Sequence, residues 1–182
     1  MNRRRLLAGV AGAGVFGAGW AVSTGMIPTA ELSTDHDAEA TVDETVETVD
    51  APGSVAGEQS IPADGPLVVE FMSVTCSVCE ESMPALVESY ETYGESVSFL
   101  SVSTDPVGFS VEKSTLAEWW QDHGGQWSLG IDPQLSVTQQ LEVSAVPTTV
   151  LVDEQGRIVD KLRGEKTASD LTALLDSVVE TS

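Results

Sequence analysis

The chain has 182 residues, enough for one domain of ordinary size with accessory segments and too few for two full cores. Its 29 acidic against 8 basic residues leave a net charge of -21, which excludes a nucleic-acid binder, since that function needs clustered lysine and arginine to displace counterions. The same balance suits a protein that stays soluble in concentrated salt, where a Debye length of about 3 Å at 1 M silences most repulsion between surface carboxylates, so a halophilic source is the preferred reading and a merely acidic mesophilic protein the competing one.

At the N-terminus, Arg3, Arg4 and Arg5 precede a stretch from Leu6 to Ile27 without a charged residue. A basic start followed by an apolar, small-residue-rich run is an export segment and not part of the fold. Arg3-Arg4-Arg5-Leu6-Leu7 is similar to the twin-arginine pattern that sends folded proteins across a membrane. At 1.5 Å per residue the run can cross a hydrocarbon core of about 30 Å and remain as an anchor. Cleavage after the small residues Gly19 and Ala21 would instead release a secreted protein. In either case the arginines stay inside and everything after Ile27 goes out. Residues 28–64 carry ten acids and no lysine or arginine, lack aromatics, and read as a solvated, disordered tether. The Thr-Val alternation within them is the competing, weak strand pattern.

The folded domain is expected over residues 65–182. "PLVVEFM" (66–72) is an apolar run of strand length. Met83, Leu86, Val87 and Tyr90 then recur at helical spacing up to Gly94, a suitable helix end. "VSFLSVS" (97–103) is a second buried strand, and Leu116, Trp119 and Trp120 line a helix ending near Gly124. "TTVLV" and "RIVDKL" flank the turn "DEQG" as a hairpin. "TASDLTALLDSVVE" closes the chain as a helix capped by Thr167 or Ser169, with Leu171, Leu174, Leu175 and Val178 on one face. Alternating strands and helices indicate an α/β sheet covered on both faces.

Cys76 and Cys79 are the only cysteines, and they sit where the first strand of this domain turns into a helix. Two thiols three positions apart can be a staple, half of a metal site or a redox couple. A disulfide restricts the unfolded chain in proportion to the logarithm of its loop length, so this small ring stabilises little. The spacing therefore favours a bond that is made and broken. At a helix N-terminus, free N–H groups and the helix dipole favour a thiolate at Cys76, the nucleophilic form. Cys79, a turn further on, is shielded and suited to resolve a mixed disulfide. Glu80 and Glu81 oppose the thiolate while favouring the helix start.

The strand 67–72, Cys76-Ser77-Val78-Cys79, Pro84 five residues beyond the second cysteine, "AVPTTVLVDEQGRIV" (145–159) and the last amphipathic helix together resemble the thioredoxin fold, from about Gly65 to Glu180. "CEESMP" followed by "DPQLSVTQQLEVSAVPTTVLVDEQGRIV" most resembles the extracytoplasmic, membrane-tethered TlpA and ResA type thiol-disulfide oxidoreductases. The resemblance implies a central mixed sheet with helices on both faces and a Cys76–Cys79 redox disulfide. It also implies a buried acid, Glu70, that shuttles the proton of Cys79. A cis-proline at Pro147 would leave the Val146 backbone free to pair with a substrate strand, beside Thr75. It implies no bound cofactor, and as partners an upstream redox protein and cysteine-containing exported clients, with apocytochrome c as a candidate. Together with the acidic surface it implies a halophilic archaeal source. Three departures stand out: Thr75 replaces the aromatic that commonly precedes the first cysteine, no proline lies between the cysteines, and the subfamily's N-terminal hairpin is not apparent in the acidic stretch.

The alternative from another class is a copper-delivery module using Cys76 and Cys79 as soft ligands, since Cu(I) favours thiolates. The related Sco proteins resemble a longer cysteine spacing with a distant histidine, so the spacing here favours exchange. A peroxiredoxin-like peroxidase is disfavoured, because no Pro-x-x-x-Thr-x-x-Cys setting precedes Cys76. His123 reads as a surface or capping residue rather than a metal ligand, and His36 falls in the tether. Trp119, Trp120 and Trp127 read as packing residues.

Overall fold

The computed structural model of the protein describes residues 41–179. The expected export segment and the first part of the expected tether lie outside the described residues. The elements run β1 (Glu44–Thr48), β2 (Gly57–Ile61), β3 (Leu67–Met72), α1 (Ser77–Tyr93), β4 (Ser98–Ser103), α2 (Lys113–Asp122), β5 (Ser128–Ile131), α3 (Ser136–Gln140), β6 (Thr148–Val152), β7 (Ile158–Arg163) and α4 (Ala168–Val179). They build one seven-stranded sheet in the order β2-β1-β5-β4-β3-β6-β7. β3, β4 and β5 are mutually parallel, whereas β6 and β7 on one side and β1 and β2 on the other add antiparallel hairpins. This is the thioredoxin-like α/β architecture expected from the sequence.

β3 is central and buried at every position, which explains its unbroken apolar run. Its side chains alternate between two cores. Val68 and Met72 join Cys79, Met83 and Leu86 of α1, Leu116 and Trp120 of α2, and Leu171, Leu174 and Leu175 of α4. Leu67, Val69 and Phe71 face the other way, against Val137 of α3, Leu141, and Val46 of β1. By that alternation Glu70 falls on the face covered by α1. Gly94 ends α1, its N–H donating to Tyr90 C=O at 2.8 Å. Thr167 caps α4, accepting from the Asp170 N–H at 3.3 Å while the Asp170 carboxylate accepts from the Thr167 N–H at 2.9 Å.

The disordered tether is corrected over 41–64: this stretch folds, and the domain begins well before Gly65. β1 pairs with β2 through five registered positions and with β5 on its other edge. The Thr-Val alternation is the reason. Val42, Val46 and Val49 are buried, as is Ile61, while Asp43, Glu47 and Asp50 stay exposed. Each buried valine or isoleucine contributes about 1.5–3 kcal/mol, and the hairpin's free edge pairs with β5 of the existing sheet. The docking is close. Gly53 has φ +73°, and an added Cβ would lie 2.0 Å from the Gln126 carbonyl carbon. Pro52 C=O accepts from Trp120 Nε1 at 3.1 Å, and Ser54 Oγ accepts from the Leu129 N–H at 3.0 Å. The N-terminal hairpin that the sequence conceals is therefore present.

Candidate active site

The parallel order of β3 and β4 brings the C-terminal ends of both strands, and the entry to antiparallel β6, to one end of the sheet. Cys76 stands there as the N-cap of α1, with extended backbone (φ -96°, ψ 103°) and a sulfur that accepts from the Cys79 N–H at 3.1 Å. Cys76 and Cys79 are joined as a disulfide with Cα atoms 5.2 Å apart. The two sulfurs are not equivalent. Cys76 is half-buried at the surface, whereas Cys79 is 2% exposed and packed in the α1 core. This geometry puts the sulfur at the helix terminus within reach of a partner and the other out of reach.

Glu70 is 2% exposed, buried as the resemblance implies and not an edge or outward-facing strand glutamate. Its Oε1 lies 2.8 Å from Lys166 Nζ, and its Oε2 accepts from the hydroxyl of Thr149, its register partner on β6. Burial pushes the Glu70 carboxyl above its ordinary value, and the charge and hydrogen bond of Lys166, with the Thr149 hydroxyl, pull it part of the way back. Lys166 comes from the turn before α4, where its N–H donates to Ser82 Oγ of α1 at 3.3 Å.

A second buried acid, Asp105, follows β4. It accepts from Ser73 Oγ at 2.7 Å, Ser103 Oγ at 2.8 Å and the Val74 N–H at 2.9 Å. Ser73 in turn accepts from the Thr75 N–H at 3.2 Å and meets the Thr75 hydroxyl at 3.0 Å. Residues 73–75 are thereby clamped immediately before Cys76, with Thr75 exposed at the rim.

Across the mouth, the Val146–Pro147 peptide bond is cis. Val146 and Cys76 both pack against the α1-side core. The neighbouring carbonyls are engaged: Ala145 C=O accepts from Thr148 Oγ1 at 2.8 Å, and Pro147 C=O from the Gly164 N–H at 2.9 Å. The Val146 amide and carbonyl have no partner among the described residues. Beside them, an open pocket of about 280 Å³ is lined by Thr104, Leu135, Thr138 and residues 143–146, none of them charged. In a chain of net charge -21, an uncharged pocket at this end is distinctive. Exposed Val78, Phe109 and Leu135 carry apolar surface on the same end of the sheet.

His123 is the C-cap of α2, stacked on Trp119 with ring centroids 4.1 Å apart, its Nε2 3.5 Å from Glu80 Oε1. Trp120 and Trp127 are packing residues, 0% and 3% exposed, and Trp127 Nε1 donates to Ser101 Oγ at 3.0 Å. Among the described residues no group of three or more His, Cys, Asp or Glu is placed to hold a metal ion. Lys166 and Asp105 escape a reading of the sequence. Neither position carries a motif, and only the register of Glu70 opposite Thr149 in "VPTT" offers a partial signal.

A thioredoxin-like sheet with a cysteine pair at the head of its first crossover helix defines the class of protein. The chain belongs to the Redoxin family, which it matches over residues 38–175. It is 25% identical over 111 residues to the thiol-disulfide oxidoreductase ResA of Bacillus cereus and 30% identical over the same length to that of Geobacillus kaustophilus. Each alignment covers 60% of this chain and 61% of the relative. Among solved structures, StoA from Bacillus subtilis superposes with a TM-score of 0.62 at 18% identity, over 75% of this chain and 98% of that one. The family match begins ahead of β1, in keeping with a domain that includes the N-terminal hairpin.

Proposed function

We propose that the protein is a thiol-disulfide oxidoreductase working through Cys76 and Cys79. The observation that carries this reading is the asymmetry of the pair: one sulfur half-exposed at a helix N-terminus, its partner buried on the sheet face to which the buried Glu70 also belongs. As a thiolate, Cys76 attacks a client disulfide, forming a Cys76–client mixed disulfide and releasing the other client sulfur as a thiolate. Cys79 loses its proton to Glu70 and attacks Cys76, closing the Cys76–Cys79 bond and expelling the second client thiolate. Two electrons pass to the client, and the reverse sequence oxidises it. The free amide and carbonyl of Val146 before Pro147 would pair with the extended client, Thr75 would border it, and the uncharged pocket would take a neighbouring side chain.

The similarity to ResA and the export segment support clients that are cysteine-containing exported proteins, apocytochrome c among them, and an upstream redox partner outside the cytoplasm. The run 6–27 supports a membrane tether, or secretion if it is removed, and the acidic composition supports a halophilic archaeal source. Among the described residues no helix is long and apolar enough to cross a membrane, so the tether rests on residues outside that set. Replacing Arg3 and Arg4 with lysine is expected to stop export; normal export of that variant would sink the twin-arginine reading.

Equilibrating the protein in defined glutathione or dithiothreitol buffers tests the activity. A single reversible two-electron transition of the Cys76–Cys79 bond, with catalysis of insulin reduction, is expected. Failure to cycle reversibly, joined to stoichiometric Cu(I) binding that needs both thiolates equally, would instead establish the copper-delivery alternative.

A further inference from the structure

Lys166 is the one buried cation among the described residues: its side chain is 1% exposed and its ammonium is 2.8 Å from Glu70 Oε1. Its main chain is tied to the helix that carries the cysteines. The Lys166 N–H donates to Ser82 Oγ, and Ser82 Oγ donates to Val78 C=O at 2.9 Å, in the turn that holds Cys79. A buried pair of this kind contributes little net stability, because desolvating both charges costs about as much as their attraction returns, and apolar residues of similar volume often replace such pairs without loss. The pair therefore calls for an explanation in the chemistry of this face.

We propose that Lys166 is a positioning residue for thiol exchange: its ammonium holds Glu70 as a carboxylate on the Cys79 side of the sheet and so sets the pH range over which Glu70 can take the proton of Cys79. The inference rests on the role given to Glu70 above. In the resolving step the Cys79 S–H bond breaks, its proton moves to a Glu70 oxygen, and the sulfur's electron pair attacks Cys76. The expelled client sulfur leaves with the electron pair of the broken bond. Once Glu70 is neutral, Lys166 is left as a buried charge without a counter-ion, which favours the nearby thiolate and drives Glu70 to release its proton afterwards.

Around Glu70 the other facing groups leave this role to Lys166. β6 contributes the Thr149 hydroxyl and β4 contributes Ser101, already engaged by Trp127. α1 contributes Cys79 and Ser82, with Glu80 and Glu81 turned to solvent, and α4 contributes leucines. The remaining buried acids of this end are held by neutral donors, Asp105 by Ser73, Ser103 and Val74, and Asp132 by Ser136 and Thr138. Without Lys166, desolvation of Glu70 would be opposed by the Thr149 hydroxyl alone and would shift the acid further toward its protonated form.

The test uses the full chain, reduced, with glutathione disulfide as probe, following release of glutathione from the Cys76 mixed disulfide from about pH 6 to about pH 9. In Lys166→Met, release near neutrality should slow about 10-fold or more, with the rising limb moved to higher pH and the alkaline plateau retained. Glu70→Gln should slow the neutral limb as well, and adding Lys166→Met to it should cost nothing further, since the lysine acts through the acid. That double variant removes both charges of the buried pair and guards against a failure to fold. Infrared difference spectra should show the Glu70 carboxylate in the wild type and a protonated carboxyl in Lys166→Met at neutral pH. An unshifted limb in Lys166→Met beside a slowed Glu70→Gln would overturn the lysine's role alone, as would an equal loss at every pH. Unchanged release in Glu70→Gln would overturn the role of Glu70 and this inference with it.

Discussion

Glu70 and Asp105 are both carboxylates withdrawn from water near one end of the same sheet, 2% and 7% exposed, yet they are satisfied by opposite kinds of donor. Glu70 faces an ammonium and one hydroxyl, while Asp105 faces two hydroxyls and a backbone amide and no cation. The difference separates two jobs. A carboxylate whose charge is balanced by a single buried lysine changes the electrostatics of its surroundings when it takes a proton, which suits it to proton transfer. One held by neutral donors from two segments acts as a clamp, and Asp105 fastens the end of β4 to residues 73–75, just before Cys76. On this view Glu70 governs the proton of Cys79 and Asp105 governs the position of Cys76.

The largest effect should come from splitting the Glu70–Lys166 pair. Glu70→Gln leaves Lys166 buried without a counter-ion and should lower the unfolding free energy by about 3–5 kcal/mol in denaturant titrations, whereas Glu70→Gln/Lys166→Met should recover most of that loss. The pH dependence has a definite sign. Because burial raises the Glu70 carboxyl in the folded protein, the native state holds that proton more tightly than the unfolded chain does. The stability of the wild type relative to the double variant should therefore fall as pH rises from the ordinary carboxyl range through the raised value. A difference that rises over this range would mean that ion pairing outweighs desolvation.

Asp105→Asn is the sharper contrast. Its amide places a donor against hydroxyls and an N–H that need an acceptor, at a cost of about 1–3 kcal/mol. It should slow attack by Cys76 on glutathione disulfide without moving the pH limb of resolution. A moved limb would blur the division between the two acids. The smallest effect concerns the exposed carboxylates. Raising salt from low to molar concentration should raise the melting temperature of wild type, double variant and Asp105→Asn alike, because screening reaches surface charges and not buried ones. A melting temperature that stays flat or falls would count against the halophilic reading.

How much of this was legible depended on how locally each feature is encoded. β3, β4 and β6 announce themselves as apolar runs, and α1 and α4 as helical spacing of Leu, Met and Val, because each buries a continuous face, while β7 is signalled by the DEQG turn that pairs it with β6. β5 and α3 have four and five residues, too few to establish a period. β1 is hidden by averaging: across residues 28–64 the acids dominate, while within Glu44–Thr48 alternate positions are buried. The cysteine pair and the proline before β6 are motifs with fixed neighbours. Lys166 is not one. In "RGEKTASD" it looks like a solvated lysine between a glycine turn and a helix cap, and its burial follows from an acid 96 positions away.

The assignment of attacking and resolving sulfurs is tested most directly by covalent trapping with insulin as the disulfide client. Cys79→Ser should accumulate a reductant-sensitive adduct through Cys76, because nothing remains to expel the insulin chain, while Cys76→Ser, whose remaining thiol is buried, should trap little or none. Equal adduct yields from the two variants would contradict the account.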